Sequence, residues 1–448
     1  LRLLEEQQLH LRRLARAQDA GPALLFVEDS SSDGTACAVM RWPGRDPLLA
    51  DSVHTFEHFG LRIDDHELLT TGDADRRVHR FAFVTPPEWE PGSPRRVAAV
   101  FDAHAQGRTV VDGYSRLAVV AEVGVRDIAL VRAAARFARQ AGLIMSERYV
   151  VDTLCRHAGF VEALVACFAA RFDPDRHDRD VAAGQALAER RGAAESLDAD
   201  RLLRSLESFV TATVRTNWYQ RDDRGAAKPY GAFMLDSARL ADPGPVVPHR
   251  EIFVHSDDVE GIHVRSGTVA RGGLRFSDRP EDYRTEVLGL MKTQVVKNAP
   301  IVPVGAKGAF VRRNPDISPA QAYSTFVRGM LDLADNIVDG RIVHPDRTVV
   351  HGGDDAYLVV AADKGTARFS DLANSIAAEY DYWLGDAFAS GGSSGYDHKA
   401  MGITARGAWV AVREHFTDLG IDVETTEVTA VGIGDMSGDV FGNGMLLS

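Results

Sequence analysis

From Ile252 onward the chain alternates short apolar strands with capped helices, and that alternation confines this half to an α/β architecture. Ile252–His255 and Ile262–Arg265 read as antiparallel strands, with Ser266-Gly267 turning the second. A helix capped by Ser277 or Asp278, with Pro280 in its first turn, runs through Glu286-Val287-Leu288-Gly289-Leu290-Met291 to Lys297. Ile301-Val302-Pro303-Val304 is an apolar strand, and Ser318-Pro319-Ala320-Gln321 is a capping box opening a helix to about Asn336. Tyr357–Ala362 reads as a buried strand, Gly407–Leu419 as a helix stopped by Gly420, and Val428-Thr429-Ala430-Val431 as a last strand.

The first half reads differently. Residues 1–20 predict a helix ended by Gly21-Pro22. Residues 24–29, Ala36–Arg41 and Val78–Thr85 predict strands, and Ala50–Phe59 predicts a helix stopped by Gly60, a small α+β module. Residues 95–220 are mostly helical: Ile128–Ala141, Tyr149–Ala158, Phe160–Phe172, a polar Ala-rich 178–200 that is either helix or hinge, and Leu202–Thr216. Arg132, Arg136 and Arg139 read as a solvated helix face. The turn-rich stretches Asp222–Gly225 and Ala241–Pro248 place a boundary near 221. The expected fold class is α/β and α+β multidomain, divided at 1–94, 95–220, 221–426 and 427–448.

Composition excludes some partners. The formal net charge is −13 with no basic block, so neither nucleic acid nor an anionic membrane surface is expected as a partner. No run approaches the roughly 18 apolar residues of a membrane span. Cys37, Cys155 and Cys167 form no CxxC pair, and an odd count argues against a disulfide framework. A reduced, cytoplasmic setting is expected. The chain opens Leu1-Arg2-Leu3-Leu4 without Met or signal-peptide features, which predicts an interior piece of something longer.

Chemistry concentrates between Arg271 and Gly438. In Arg271-Gly272-Gly273-Leu274-Arg275-Phe276, paired glycines let a backbone approach a ligand closely, and the flanking arginines can bind carboxylate. A Gly-Gly turn with surface arginines is the bland alternative. Gln294 and Lys297 share a helix face, where an amide and an ammonium can hold a carboxylate. Lys307 is expected at the end of the strand that precedes it, as a general base or electrostatic catalyst at a carbonyl or imine carbon. Asp363 ends the Tyr357–Ala362 strand, where α/β sheets build their sites, and can relay a proton; a turn aspartate is the alternative. His398 has no second histidine nearby, and no metal site is expected. Gly432-Ile433-Gly434-Asp435-Met436-Ser437-Gly438 follows a predicted strand as a dinucleotide turn, with its third glycine one place late and Ser437 in the usual spot.

The runs Gly273-Leu274-Arg275-Phe276, Glu286-Val287-Leu288-Gly289-Leu290, Lys297-Asn298-Ala299 and Pro303-Val304-Gly305-Ala306-Lys307-Gly308 resemble the large bacterial NAD-dependent glutamate dehydrogenases. So do Val360-Ala361-Ala362-Asp363-Lys364-Gly365-Thr366, Gly395-Tyr396-Asp397-His398-Lys399 and the stretch from Gly432 to Gly444. The likeness is specific over 221–448 and looser before, where it implies an ACT-like α+β module and a helical region. It implies an α/β substrate-binding catalytic domain at 221–426 and the beginning of an NAD-binding Rossmann domain at 427–448.

By this resemblance Lys307 polarises the substrate carbonyl and activates water, and Asp363 exchanges protons with the amino nitrogen. Gln294 and Lys297 clamp the α-carboxylate, while Arg271 and Gly272 lie at the side-chain carboxylate. Thr404, Gly432, Gly434, Asp435, Met436 and Ser437 line the cofactor. The expected reaction is reversible oxidative deamination of L-glutamate to 2-oxoglutarate and ammonium with NAD, in a homo-oligomer. Two alternatives are an amino acid dehydrogenase of other specificity and, for the N-terminal part, a non-catalytic regulatory or assembly module.

Overall fold

The computed structural model describes residues 23–28, 35–41, 48–70, 77–176, 181–296, 303–396, 398–431, 440 and 443–447. Strands β1 (Ala23–Glu28), β2 (Thr35–Arg41), β3 (Arg62–Thr70) and β4 (Arg77–Val84) form an antiparallel sheet in the order β1-β2-β4-β3. Helix α1 (Leu49–His58) links β2 to β3, and α2 (Ser93–Ala105) packs on β1. One sheet face carries Ala36, Ala38, Met40, Phe81 and Phe83 into a core with Phe56 and Phe59 after α1's side and Val97, Val100 and Phe101 of α2. Strand β3 escaped the sequence reading. It is an edge strand whose Asp64, Asp65 and Glu67 are exposed, the charged pattern that keeps a free edge from pairing.

The middle of the chain is helical: α3 (Leu117–Val120), α4 (Val125–Gln140), α5 (Glu147–Arg156), α6 (Ala158–Phe172), α7 (Val181–Arg191) and α8 (Leu197–Ala212). No single helix among the described residues is long and apolar enough to cross a membrane. The predicted helix 202–216 stops at Ala212, because Thr213, Val214 and Thr216 are β-branched and form strand β5 (Thr213–Thr216). Of the three arginines expected on a solvated face, Arg139 is exposed as expected, whereas Arg132 and Arg136 are drawn into the fold. Arg132 is buried and pairs with Asp112 at 2.8 Å and Asp257 at 3.7 Å. Arg136 reaches Glu147 and Glu260, and Arg139 reaches Glu281 at 2.7 Å. An apolar stripe beside them hides the fact that Arg132 and Arg136 face other elements of the fold.

The larger sheet has seven strands among the described residues: β5, β6 (Gly231–Leu235), β7 (Arg250–His255), β8 (Val259–Arg265), β9 (Ala270–Phe276), β10 (Val304–Arg312) and β13 (Val359–Ala362). Their order is β13-β9-β10-β8-β7-β6-β5. Strands β13, β9 and β10 run parallel, and the rest pair antiparallel. Two short strands, β11 (Asn336–Val338) and β12 (Arg341–Val343), form a separate hairpin, so the helix predicted to Asn336 ends earlier. That helix is α10 (Pro319–Leu331), with the predicted Ser318/Gln321 capping box in place. It covers one sheet face together with α11 (Ser370–Glu379), through Phe310, Phe326, Leu274 and Ile376. Helix α9 (Tyr283–Val296) covers the other face through Tyr283, Val287 and Met291. On that same side Phe137 of α4 and Phe209 of α8 stack on Phe253 and Phe233 of the sheet, with centroids 5.0–6.4 Å apart. One hydrophobic core therefore runs from Leu24 to Val349.

Near the end of the chain α12 (His398–Met401) leads through Gly402 into α13 (Ile403–Asp418), which begins before the predicted Gly407. Residues 428–431, expected as a strand, pair with no other strand among the described residues; Val428 and Val431 are exposed. A strand needs a neighbour for its backbone groups, and none is supplied there.

Candidate active site

Arg271–Phe276 is a sheet strand, not a loop. Side chains alternate along it, so Arg271, Gly273 and Arg275 share one face. The parallel register sets Arg271 beside Gly305 of β10 and Val359 of β13, and Arg275 beside Ala309. Lys307 and Asp363 fall on the same face by the same alternation. Lys307 lies within β10, not at a strand's end as expected. Its Nζ donates to Asp363 Oδ2 at 2.8 Å, and both side chains are largely covered.

Asp363 follows the last residue of β13, as its sequence position predicted. It accepts from three directions: Lys307 Nζ, the Lys364 backbone N–H at 2.7 Å, and the Arg275 guanidinium at 3.1–3.4 Å to both oxygens. Burial alone would raise the Asp363 carboxyl. The hydrogen bonds from Lys307, Arg275 and the Lys364 N–H outweigh it and hold the carboxyl down at about 2. Arg275 also donates to Glu286 Oε1 at 2.7 Å, and Ser277 Oγ donates to Glu286 Oε2 at 2.7 Å. Ser277 thus serves Glu286 and the N–H of Arg279 instead of capping α9 directly.

Arg271 is exposed at the opposite end of this strip from Asp363. Gln294, on the last turn of α9, lies over Gly305: a Cβ there would stand 2.8 Å from Gln294 Oε1. That amide oxygen is buried and accepts no hydrogen bond among the described residues. Gly272 has a different reason to be glycine than ligand approach. Its missing Cβ would sit 1.5 Å from the Ala306 carbonyl oxygen of the neighbouring strand. Lys297, Gly432, Gly434, Asp435, Met436 and Ser437 lie outside the described residues. Thr404 is exposed in the first turn of α13.

The structure thus joins Arg271, Gln294, Lys307 and Asp363 along one strip, and adds Glu286 to it. Arg275, expected to bind a carboxylate, does so within the protein, at Asp363 and Glu286, and Ser277, expected as a helix cap, serves Glu286 instead. The period-two pattern of Arg271, Gly273 and Arg275 was the available signal, hidden by reading the glycine pair as a turn.

A sequence profile for "Bacterial NAD-glutamate dehydrogenase, catalytic domain" matches residues 186–448. The chain belongs to that family. A second profile, "Glutamate dehydrogenase, helical motif 3", matches residues 109–174, which are α3 to α6 and their connections. The chain is 46% identical over 422 residues to the NAD-specific glutamate dehydrogenase of Pseudomonas aeruginosa, covering 89% of this chain and 26% of that protein. It is 45% identical over 417 residues to that of Halomonas elongata, with 89% and 26% covered. It is 50% identical over 417 residues to that of Mycobacterium tuberculosis, with 87% and 25% covered. The chain spans about a quarter of the length of these curated relatives. The catalytic-domain match opens within α7, ahead of the expected boundary at 221. Within a glutamate dehydrogenase family, the acceptor-rich Asp363 beside a lysine and an arginine is the chemically distinctive part of this chain.

Proposed function

We propose that this chain carries the substrate half of an NAD-dependent glutamate dehydrogenase, which converts L-glutamate reversibly to 2-oxoglutarate and ammonium. The observation that carries the reading is the Lys307–Asp363 pair, 2.8 Å apart on a strip that ends in the exposed cation Arg271. An acidic side chain on the substrate matches a cation at 271; a leucine side chain does not. In this reading Arg271 fixes the side-chain carboxylate. Gln294, whose buried oxygen accepts no hydrogen bond among the described residues, works with Lys297 at the α-amino and α-carboxylate end. Two fixed carboxylates leave Cα with one orientation over the strip.

Asp363 takes a proton from the amino nitrogen, and Lys307 directs water to the imine carbon and stabilises the negative charge that develops on its oxygen as the carbinolamine and then the carbonyl form. Bound NAD would supply the hydride acceptor for Cα. The exposed Thr404 hydroxyl, in the first turn of α13, suits a polar cofactor group, and Gly432, Gly434, Asp435, Met436 and Ser437 are the residues that would hold the pyrophosphate.

We assign the catalytic domain to about 221–426 with the beginning of a Rossmann domain at 427–448, a helical region at 95–220 and an ACT-like module at 1–94. The antiparallel sheet β1-β2-β4-β3 with α1 and α2 against it supports the last assignment. The three buried cysteine thiols support a reducing, cytoplasmic setting; the assembly proposed is a homo-oligomer. The test is NAD reduction by the complete polypeptide with glutamate, leucine and aspartate, and with Lys307→Ala. Glutamate preference and loss of turnover in the variant are expected. An unchanged rate in Lys307→Ala overturns the catalytic assignment.

A further inference from the structure

We propose that Arg275 is a positioning residue for Asp363, fixing both carboxylate oxygens, with Glu286 and Ser277 as the brace that fixes Arg275. The proposal rests on the reaction given above and adds residues to which that reading assigned no role. Four observations support it.

The contact is to both oxygens. Arg275 Nη2 stands 3.1 Å from Asp363 Oδ1 and 3.3 Å from Oδ2, with Nε 3.4 Å from Oδ2. Lys307 touches Oδ2 only and the Lys364 N–H Oδ1 only, whereas Arg275 spans both oxygens. Arginine's planar fork ties the two oxygens to one rigid group and so sets the tilt of the carboxylate plane.

The brace is itself satisfied. Glu286 Oε1 accepts from Arg275 Nη1 and Oε2 from Ser277 Oγ, each at 2.7 Å. Ser277 is tied in turn through its N–H to the Phe310 carbonyl. A guanidinium shared between two carboxylates has its aim set from both ends.

The charge arrangement is closed. Around Asp363 stand Lys307 from β10, Arg275 from β9 and the Lys364 N–H from its own loop, with Glu286 of α9 behind Arg275. The Lys364 ammonium turns away to Asp278 at 3.2 Å. Arg271, two residues from Gly273 on the same strand face, is the remaining cation of the strip among the described residues.

Finally, the brace sits on the helix that carries Gln294. Helix α9 holds Glu286 in its first turn and Gln294 in its last. The position of one helix therefore sets both the aim of Asp363 and the amide over Gly305.

The experiment uses the complete polypeptide with Arg275→Gln, Arg275→Lys, Glu286→Gln, Asp363→Asn and the double variant Arg275→Gln/Asp363→Asn. A misaimed proton acceptor predicts a kcat for glutamate oxidation lower by about 100-fold in Arg275→Gln, with KM little changed. Arg275→Lys recovers part of the loss, and Glu286→Gln shows the same pattern in weaker form. The double variant is no slower than Asp363→Asn alone, because Arg275 acts through Asp363. A raised KM at unchanged kcat, or losses that multiply in the double variant, overturns the proposal.

A second readout needs no turnover. With Asp363→Asn as the blank, the infrared carboxyl band of Asp363 is followed down to about pH 3. The unaltered protein stays ionised there, whereas Arg275→Gln protonates, having lost a cation beside the carboxylate. An Asp363 titration indifferent to Arg275 overturns the proposal. If the unaltered protein fails to reduce NAD with glutamate, the proposed reaction falls, and the infrared titration still decides the positioning role.

Discussion

Gly272→Ala separates two reasons for a glycine beside a substrate. The added Cβ would stand 1.5 Å from the Ala306 carbonyl oxygen, whereas ordinary contact begins at 3.4 Å, a shortfall of about 1.9 Å. Both atoms belong to backbone, so no side chain can turn away. Strands β9 and β10 must part, and hydrogen-bonded strands sit only about 4.8 Å apart. A shift of that size breaks ladder bonds on both sides of Gly272 and displaces Lys307, the residue next to Ala306.

Overpacking of this kind against backbone belongs with the large mutational effects, on the order of 4 kcal/mol or more. Spread over a cooperative unit of roughly 400 residues, at about 2.1 cal/mol/K per residue, that is a drop in Tm of about 5 °C. The assay is thermal and urea unfolding of the variant beside the unaltered protein, with and without glutamate. If Gly272 existed only to let a ligand approach, the variant would unfold at the normal temperature and show only a raised KM. That result would refute the strand-packing argument.

Other expectations follow from buried charge and burial. Arg284→Met strands the fully buried Glu251, whose two oxygens each accept from Arg284 at 2.8 Å, and should cost about 3–5 kcal/mol in urea unfolding. Arg284→Met with Glu251→Leu should recover most of it, and a single variant as stable as the double contradicts this. Asp363 titrates at about 2 in the fold against an ordinary 3.8, so its contribution is present above about pH 3.8 and lost as pH falls through 2. Asp363→Asn should accordingly flatten the acid limb of a stability profile, and an unchanged limb speaks against the ion pairs. Burial pushes the Cys155 thiol up to about 11, so a thiol reagent at about pH 8 should label it only after unfolding. Rapid labelling of the folded protein contradicts that.

The alternating elements of the second half were legible because their punctuation is local. Ser318-Pro319-Ala320-Gln321 caps a helix wherever it occurs, and Asp363 was placed correctly at a strand's end by the apolar run before it. What sequence hid was long-range. Thr213–Thr216 continued a helical pattern until Arg215 found Asp335 across the fold, with Nη1 2.6 Å from Oδ1. Gly272-Gly273 looked like a turn because the strands that demand small residues there lie some 30 and 90 residues away. Arg275 was legible as a carboxylate binder, but not that its carboxylates are the protein's own, since its two partners come from different elements. Polar pairing of this sort leaves no periodic trace, whereas hydrophobic patterning does.

The stack of Phe137 and Phe209 on Phe253 and Phe233 has a consequence for where this protein can be divided. The family's catalytic profile opens at residue 186, yet Phe137 lies before that point. A fragment cut there keeps the strands and the Lys307–Asp363 pair but uncovers aromatic surface on the sheet. It also removes Gln140, which holds the Pro280 carbonyl and the Arg284 N–H at the head of α9. The helical region is therefore half of the wall on which the chemistry hangs, and the unit of inheritance read from sequence is smaller than the unit that can stand alone.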